Sequence, residues 1–131
     1  MSYLLDTNVC IGFLNEIDRP LRARLERTSP DELKLCSIVK AELLYGARNG
    51  ARVQENLAKI ARFTKPFESI PFDDAAAEQY GMIRTQLRRA GTPIGANDML
   101  IAAIALASDS ILVTRNQDEF LQVPGLRVEA W

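Results

Sequence analysis

Short apolar runs alternate with stretches of helical period along this chain. Tyr3-Leu4-Leu5 reads as a buried strand that stops at Asp6, and Asn8 is placed to cap a short apolar helix from Val9 to Leu14. Pro20 suits the first turn of a second helix, with Leu21 and Leu25 inward and arginines outward, which Thr28-Ser29-Pro30 breaks. Leu33 to Cys36 is the next strand. Ser37 follows as a cap for a helix from Ile38 to about Ala47, closed by Gly50. Val53, Leu57, Ile60 and Thr64 share one face of an amphipathic helix that Pro66 ends, and Phe67 to Ile70 is a further strand. Asp73 opens the longest helix, with Ala76, Tyr80, Ile83, Leu87 and Ala90 in one stripe and Gly91 at its end. After the Thr92-Pro93 loop, Met99 to Ala107 is apolar on all sides, which marks a buried helix. Ile111-Leu112-Val113 is a buried strand and Leu126-Arg127-Val128 an edge strand.

Apolar strands separated by helices predict a parallel sheet covered on both faces. The expected fold class is α/β, three-layer α/β/α around a short central parallel sheet, with residues 1–131 as one domain. No linker, repeat or low-complexity segment interrupts the pattern. A chain of this length buries roughly two-thirds of its unfolded surface, so one core needs no staple.

Composition then narrows the chemistry. The chain has no histidine, which removes Ser-His-Asp and Cys-His nucleophiles, His-ligated zinc and paired-His attack through a ribose hydroxyl. Hydrolysis here has to run on carboxylates, a metal, or both. Cys10 and Cys36 are not spaced as a redox or zinc motif and read as buried reduced thiols of a cytoplasmic protein. No apolar run approaches the roughly 20 residues of a membrane span, and MSYLLDTN lacks the pattern of a secretory signal. Net charge is −1, so overall charge does not announce a nucleic-acid partner. Two arginine clusters do stand out: Arg19, Arg22, Arg24 and Arg27, and Arg84, Arg88 and Arg89. Each is either a solvated helix face or a phosphate track.

Several carboxylates sit where a parallel sheet collects ligands, beyond the carboxyl ends of its strands. Asp6 closes an apolar strand; its structural alternative is a turn or helix cap. Glu42 lies among Ile38, Val39, Ala41, Leu43 and Leu44, where a carboxylate is costly unless paired, with Arg48 for example, or metal-bound. Asp98 starts the all-apolar helix, a place the helix dipole also favours for an acid. After the strand at Ile111 to Val113, Asn116 or Asp118 could supply a fourth oxygen ligand, or could be ordinary turn residues. Converging carboxylates repel by roughly 4 kcal/mol per pair at about 4 Å under an effective dielectric of about 20, which a divalent cation removes. Oxygen-only donors favour Mg2+ or Mn2+ over zinc. Such a cluster suits phosphodiester hydrolysis by metal-activated water.

Four stretches carry a resemblance. They are Leu4-Leu5-Asp6-Thr7-Asn8; Ser37 to Gly46, SIVKAELLYG; Gly91 to Asp98, GTPIGAND, leading into Ile101-Ala102-Ala103; and Leu112-Val113-Thr114-Arg115-Asn116 with Phe120. In this order and spacing they resemble a PIN-domain nuclease, specifically a VapC-type toxin of a bacterial toxin–antitoxin pair, over essentially the whole chain. The resemblance implies catalytic and metal-binding roles for Asp6, Glu42 and Asp98, with Asn116 or Asp118 at the fourth position. It also implies support from Thr7, Asn8, Ser37 and Thr114. It implies a cytoplasmic, Mg2+-dependent (Mn2+ also possible) endoribonuclease that cuts structured RNA such as tRNA and inhibits translation. Its implied partners are a cognate antitoxin, inserted in the active-site groove, and a second copy in a homodimer. Arg84, Arg88 and Arg115 are candidates to hold RNA phosphates.

A haloacid-dehalogenase-like phosphatase also begins with a strand-end Asp but needs a second Asp at position 8, which is Asn. A phospho-receiver domain shares the fold class but needs an early acidic pair and a Lys where Arg115 and Asn116 stand. The remaining alternative is a catalytically inactive PIN-like module that binds RNA or protein.

Overall fold

The computed structural model describes residues 1–15 and 18–131. Its strands are β1 (Tyr3–Leu5), β2 (Leu33–Cys36), β3 (Glu68–Ile70), β4 (Ile111–Val113) and β5 (Val128–Glu129). They form one sheet in the order β3-β2-β1-β4-β5, and every neighbouring pair is parallel. The helices are α1 (Thr7–Leu14), α2 (Arg19–Arg27), α3 (Ser37–Arg48), α4 (Val53–Thr64), α5 (Asp74–Ala90), α6 (Ala96–Ala107) and α7 (Gln117–Phe120). Two helices fill each crossover from β1 to β4, because parallel neighbours cannot be joined by a tight turn.

Burial shows that both faces of the sheet are covered. Successive strand residues point to opposite faces, yet Leu4 and Leu5 of β1 and Leu112 and Val113 of β4 are all sealed from solvent. The edge strands β3 and β5 are only partly buried. α6 supplies a core wall: Ile101 to Ala105 are all buried, as the unbroken apolar run from Met99 to Ala107 requires. α5 lies against α6, and Ala76 near the start of α5 sits with Ile104 and Ala107 near the end of α6. The two therefore run antiparallel, and the short loop between them returns the chain to the carboxyl side of the sheet. Gly91 closes α5 at φ 71°, a left-handed conformation suited to glycine.

Three details depart from the sequence expectations. Asp6, not Asn8, caps α1, and Asn8 lies inside the helix, exposed. Ser37 is the first residue of α3, whose cap position is Cys36, and no side chain caps that end. The last strand is displaced to Val128–Glu129, because pairing with Leu112 and Val113 sets its register. Cys10 and Cys36 are buried and free, as expected. No helix among the described residues is long and apolar enough to cross a membrane.

Candidate active site

β1 and β4 are adjacent, but their outgoing connections leave in opposite directions, to β2 on one side and β5 on the other. Such a switch point opens a crevice beyond the carboxyl ends of the two strands. Asp6 stands there. Its backbone N–H donates to the Val113 carbonyl at 3.1 Å, extending the central ladder by one residue. Its side chain then serves α1: Oδ1 accepts from Val9 N–H at 2.9 Å, and Oδ2 accepts from the Thr114 hydroxyl. Thr114 is fully buried, and its oxygen is fixed in turn by the Asn116 N–H at 3.0 Å. The cap reading of Asp6 and its placement in the crevice are thus both true.

Burial raises the pKa of Asp6, partly offset by the Thr114 and Val9 hydrogen bonds. The Glu42 charge pushes it further up and the Arg115 guanidinium pulls it down, so both groups stand close enough to be felt. Glu42 projects from α3 and accepts a hydrogen bond from the Thr7 hydroxyl at 2.7 Å. This hydroxyl, rather than Arg48, is its partner.

Asp98 occupies the first turn of α6. Its pKa is pushed up to about 7, first by burial, then by a hydrogen bond and charge repulsion with Glu119, then by the charges of Glu42 and Asp6. Glu119 is shifted the opposite way by the N–H of Gly95, at 2.8 Å from Oε1, and by the Asn116 amide. The pair therefore holds one proton, on Asp98, until near neutrality. Asp98 thus feels the charges of Asp6, Glu42 and Glu119, so acids from the end of β1, α3, α6 and α7 meet around it.

Glu119 is the site residue that the sequence reading missed. Asp118 is exposed, and it is its neighbour that turns back to Asn116, Gly95 and Asp98. The signal was present in the spacing. Residues three apart share a helix face, whereas residues two apart do not. Once Asn116 faces the crevice, Glu119 follows and Asp118 turns away.

Similarity to known proteins gives the family. The PIN domain family model matches residues 3–126. This chain belongs to the PIN-domain family. It is 37% identical over 132 residues to ribonuclease VapC2 of Rickettsia felis, and 38% identical over 133 residues to the tRNA(fMet)-specific endonuclease VapC of Shigella flexneri. Each match covers 100% of this chain and 98% of the relative, which places this PIN domain in the VapC branch. Among solved structures it resembles DNA-bound VapBC from Salmonella typhimurium, with a TM-score of 0.94, 35% identity and coverage of 100% of this chain and 98% of that one. VapBC2 of Rickettsia felis, bound to a promoter DNA fragment, matches with a TM-score of 0.92 and 36% identity, over 100% and 99% of the two chains.

The other expected residues of this PIN domain fall into place less uniformly. Arg115 lies beside the acids but is held by Asp18 and by the main-chain oxygen of Trp131, at 2.8 Å. Arg84 donates to the Tyr80 hydroxyl at 2.9 Å on the exposed side of α5, and Arg88 is one turn further on, also exposed. Neither touches the acids. Of the first arginine cluster, Arg22 pairs with Glu26 at 3.1 Å, and Arg24 lies over the Trp131 ring, 4.5 Å from its centroid. Ser37 makes no hydrogen bond to the acids.

Among the described residues, no three acidic or thiol side chains already stand as a closed ligand shell. The donor set nonetheless fits a hard divalent ion. It is all oxygen, and Mg2+ commonly takes only one or two carboxylates with waters completing its octahedron. The Gly95 backbone passes close to both acids: a Cβ there would stand at ordinary van der Waals distance, 3.5 Å from Asp98 Oδ2 and 3.6 Å from Glu119 Oε1.

Proposed function

We propose that this PIN domain is a metal-dependent endoribonuclease, the toxin of a toxin–antitoxin pair, which cleaves structured RNA, tRNA included, and so inhibits translation. The observation that carries the reading is that the charges of Asp6, Glu42 and Glu119 all bear on Asp98 at the β1/β4 switch point. In this reading Asp6, Glu42 and Asp98 are the catalytic acids, and Asp6, Asp98, Glu42 and Glu119 are the candidate holders of Mg2+ or Mn2+. When bound, the cation supplies activation of water and neutralisation of charge at the phosphate. The chain's own residues do the rest. Thr114 and the Val9 N–H fix both Asp6 oxygens, Thr7 orients Glu42, and Gly95 and Asn116 hold Glu119 against Asp98. With no histidine in the chain, proton transfer at the scissile phosphate falls to these carboxylates and water. Attack by water that breaks the P–O3′ bond, with the 3′-oxygen leaving as a hydroxyl, gives a 5′-phosphate and a 3′-hydroxyl.

Arg115, Arg84 and Arg88 are proposed to meet RNA phosphates outside the acidic centre, which would make affinity fall with salt. An apolar groove lined by Ile11, Leu14, Leu43, Ala47 and Ile60 opens onto Glu42 and suits a segment of a cognate antitoxin. The VapBC complexes among its structural neighbours support such a partner. The exposed Leu44 and Met82 offer apolar surface for a homodimer. A cytoplasmic location belongs to the same reading.

The test is a cleavage assay on a tRNA pool with end analysis. Mg2+ or Mn2+ should support production of fragments with 5′-phosphate and 3′-hydroxyl ends, and excess chelator should stop it. Cleavage that continues in chelator would remove the metal from the mechanism, and no cleavage with either ion would remove the nuclease. The same assay separates the neighbouring acids. Glu119→Gln should lower the rate by about 10- to 100-fold, the usual effect of disturbing a group that orients or adjoins a metal ligand. Asp118→Asn should stay near the parent, and the reverse ranking would return Asp118 to the site.

A further inference from the structure

A second cleft, of about 590 Å³, also reaches Glu42, between α1, α3 and the first turn of α6. Its lining combines Ile11 and Ile38 with Asn8, Asn97 and Tyr45. Tyr45 lies three residues after Glu42, so the two share one face of α3. Tyr45 is 70% exposed, a large aromatic surface left in water one helical turn from a carboxylate. Asn8 follows Asp6 and Thr7 on α1, and Asn97 precedes Asp98 on α6.

The polar groups of this cleft differ from those of the acidic centre in one respect. Thr7, Thr114, Asn116 and Glu119 all spend their side chains on hydrogen bonds within the site. The amides of Asn8 and Asn97 and the phenol of Tyr45 make no hydrogen bond to any described residue. An exposed aromatic face that shares a cleft with two uncommitted amides is the equipment that reads an unstacked base. The ring supplies a stacking platform, and each amide supplies a donor and an acceptor for the base edge.

We propose that this cleft receives one unstacked nucleobase of the RNA next to the scissile phosphate, with Tyr45 stacked on its face and Asn8 and Asn97 hydrogen-bonded to its edge. The proposal rests on the ribonuclease reading and adds what sets its choice of site. Single-stranded loops are the part of structured RNA whose bases can be splayed out in this way. The cleft therefore ties cleavage to a loop position and gives that position a base preference.

Equilibrium binding tests it, using RNA hairpins that differ in one loop base and the full chain carrying Asp98→Asn to suppress cleavage. Tyr45→Ala in that background should weaken binding about 10-fold or more, the scale of one lost base–aromatic stack. Tyr45→Phe should restore it, because the phenol is not needed for stacking. Asn97→Ala or Asn8→Ala should flatten the preference among the four bases. In the cleaving protein, Tyr45→Ala should act mainly through KM. The proposal falls if Tyr45→Ala binds RNA like its parent, or if Tyr45→Phe is as weak as Tyr45→Ala. It also falls if Tyr45→Ala alters only antitoxin binding or the oligomeric state. If the parent binds no RNA at all, the ribonuclease reading goes with it, whereas parental binding unaffected by Tyr45→Ala removes the base cleft alone.

Discussion

Asp98→Asn is expected to cut RNA cleavage by about 100-fold or more, while making the metal-free protein more stable at neutral pH. The two effects have one cause. Asp98 is driven up to about 7 by burial and by Glu119, Glu42 and Asp6, so its ionised form is held against the preference of the fold. In the unfolded chain an Asp titrates near 3.9. Between about pH 4 and pH 7 the folded protein therefore binds more protons than the unfolded one, and metal-free stability declines as pH rises through that window. The amide introduced by the substitution can donate to Glu119 as the Asp98 proton does, without adding charge. Denaturant titrations in chelator should show the variant more stable than its parent at pH 8, with the gap closing towards pH 4. A variant less stable at pH 8 would mean that Asp98 is not held against repulsion. Undiminished cleavage would show that its charge is not required.

The second large effect is on heat stability. Saturating Mg2+ or Mn2+, at about 100 times its Kd, contributes about 2.7 kcal/mol to the folded state. For a domain of this size that raises Tm by roughly 10 °C. Asp6→Ala should abolish the gain. Its baseline will also drop, because α1 loses a cap worth about 1 kcal/mol and the buried Thr114 hydroxyl loses an acceptor. The informative quantity is therefore the metal-induced shift in each protein, not the absolute Tm. Asp118→Ala, altered at an exposed position, should keep the full shift. A wild-type chain indifferent to both ions, or an Asp6→Ala variant that still responds, would break the link between the four carboxylates and a cation.

Much of this architecture was legible in residue order. Tyr3-Leu4-Leu5 and Ile111-Leu112-Val113 are strands because short continuous apolar runs can be buried on both faces only in the middle of a parallel sheet. α6 was recognisable as a core helix because its run from Met99 to Ala107 has no polar face. Boundaries were less legible. Asn8 and Ser37 both have capping side chains, but a cap forms where the backbone leaves extended geometry, and the strands β1 and β2 place that point at Asp6 and Cys36. The last strand moved for a similar reason: Leu126-Arg127-Val128 has the right alternation, yet hydrogen bonding to β4 selects Val128 and Glu129.

What the sequence by itself determined is the class of fold and the strands and helices in their order, and it marked the acids Asp6, Glu42 and Asp98 as candidates. Those are local properties, set by hydrophobic period and by the cost of placing charge among apolar neighbours. Tertiary structure alone decided that Glu119 rather than Asp118 joins them, that Thr7 answers Glu42, and that Arg115 is shared with Asp18 and Trp131. Pairings in this site span as many as 108 positions in the chain, as between Asp6 and Thr114. Side-chain direction at such range follows from strand order and helix rotation, which packing fixes and no local pattern records.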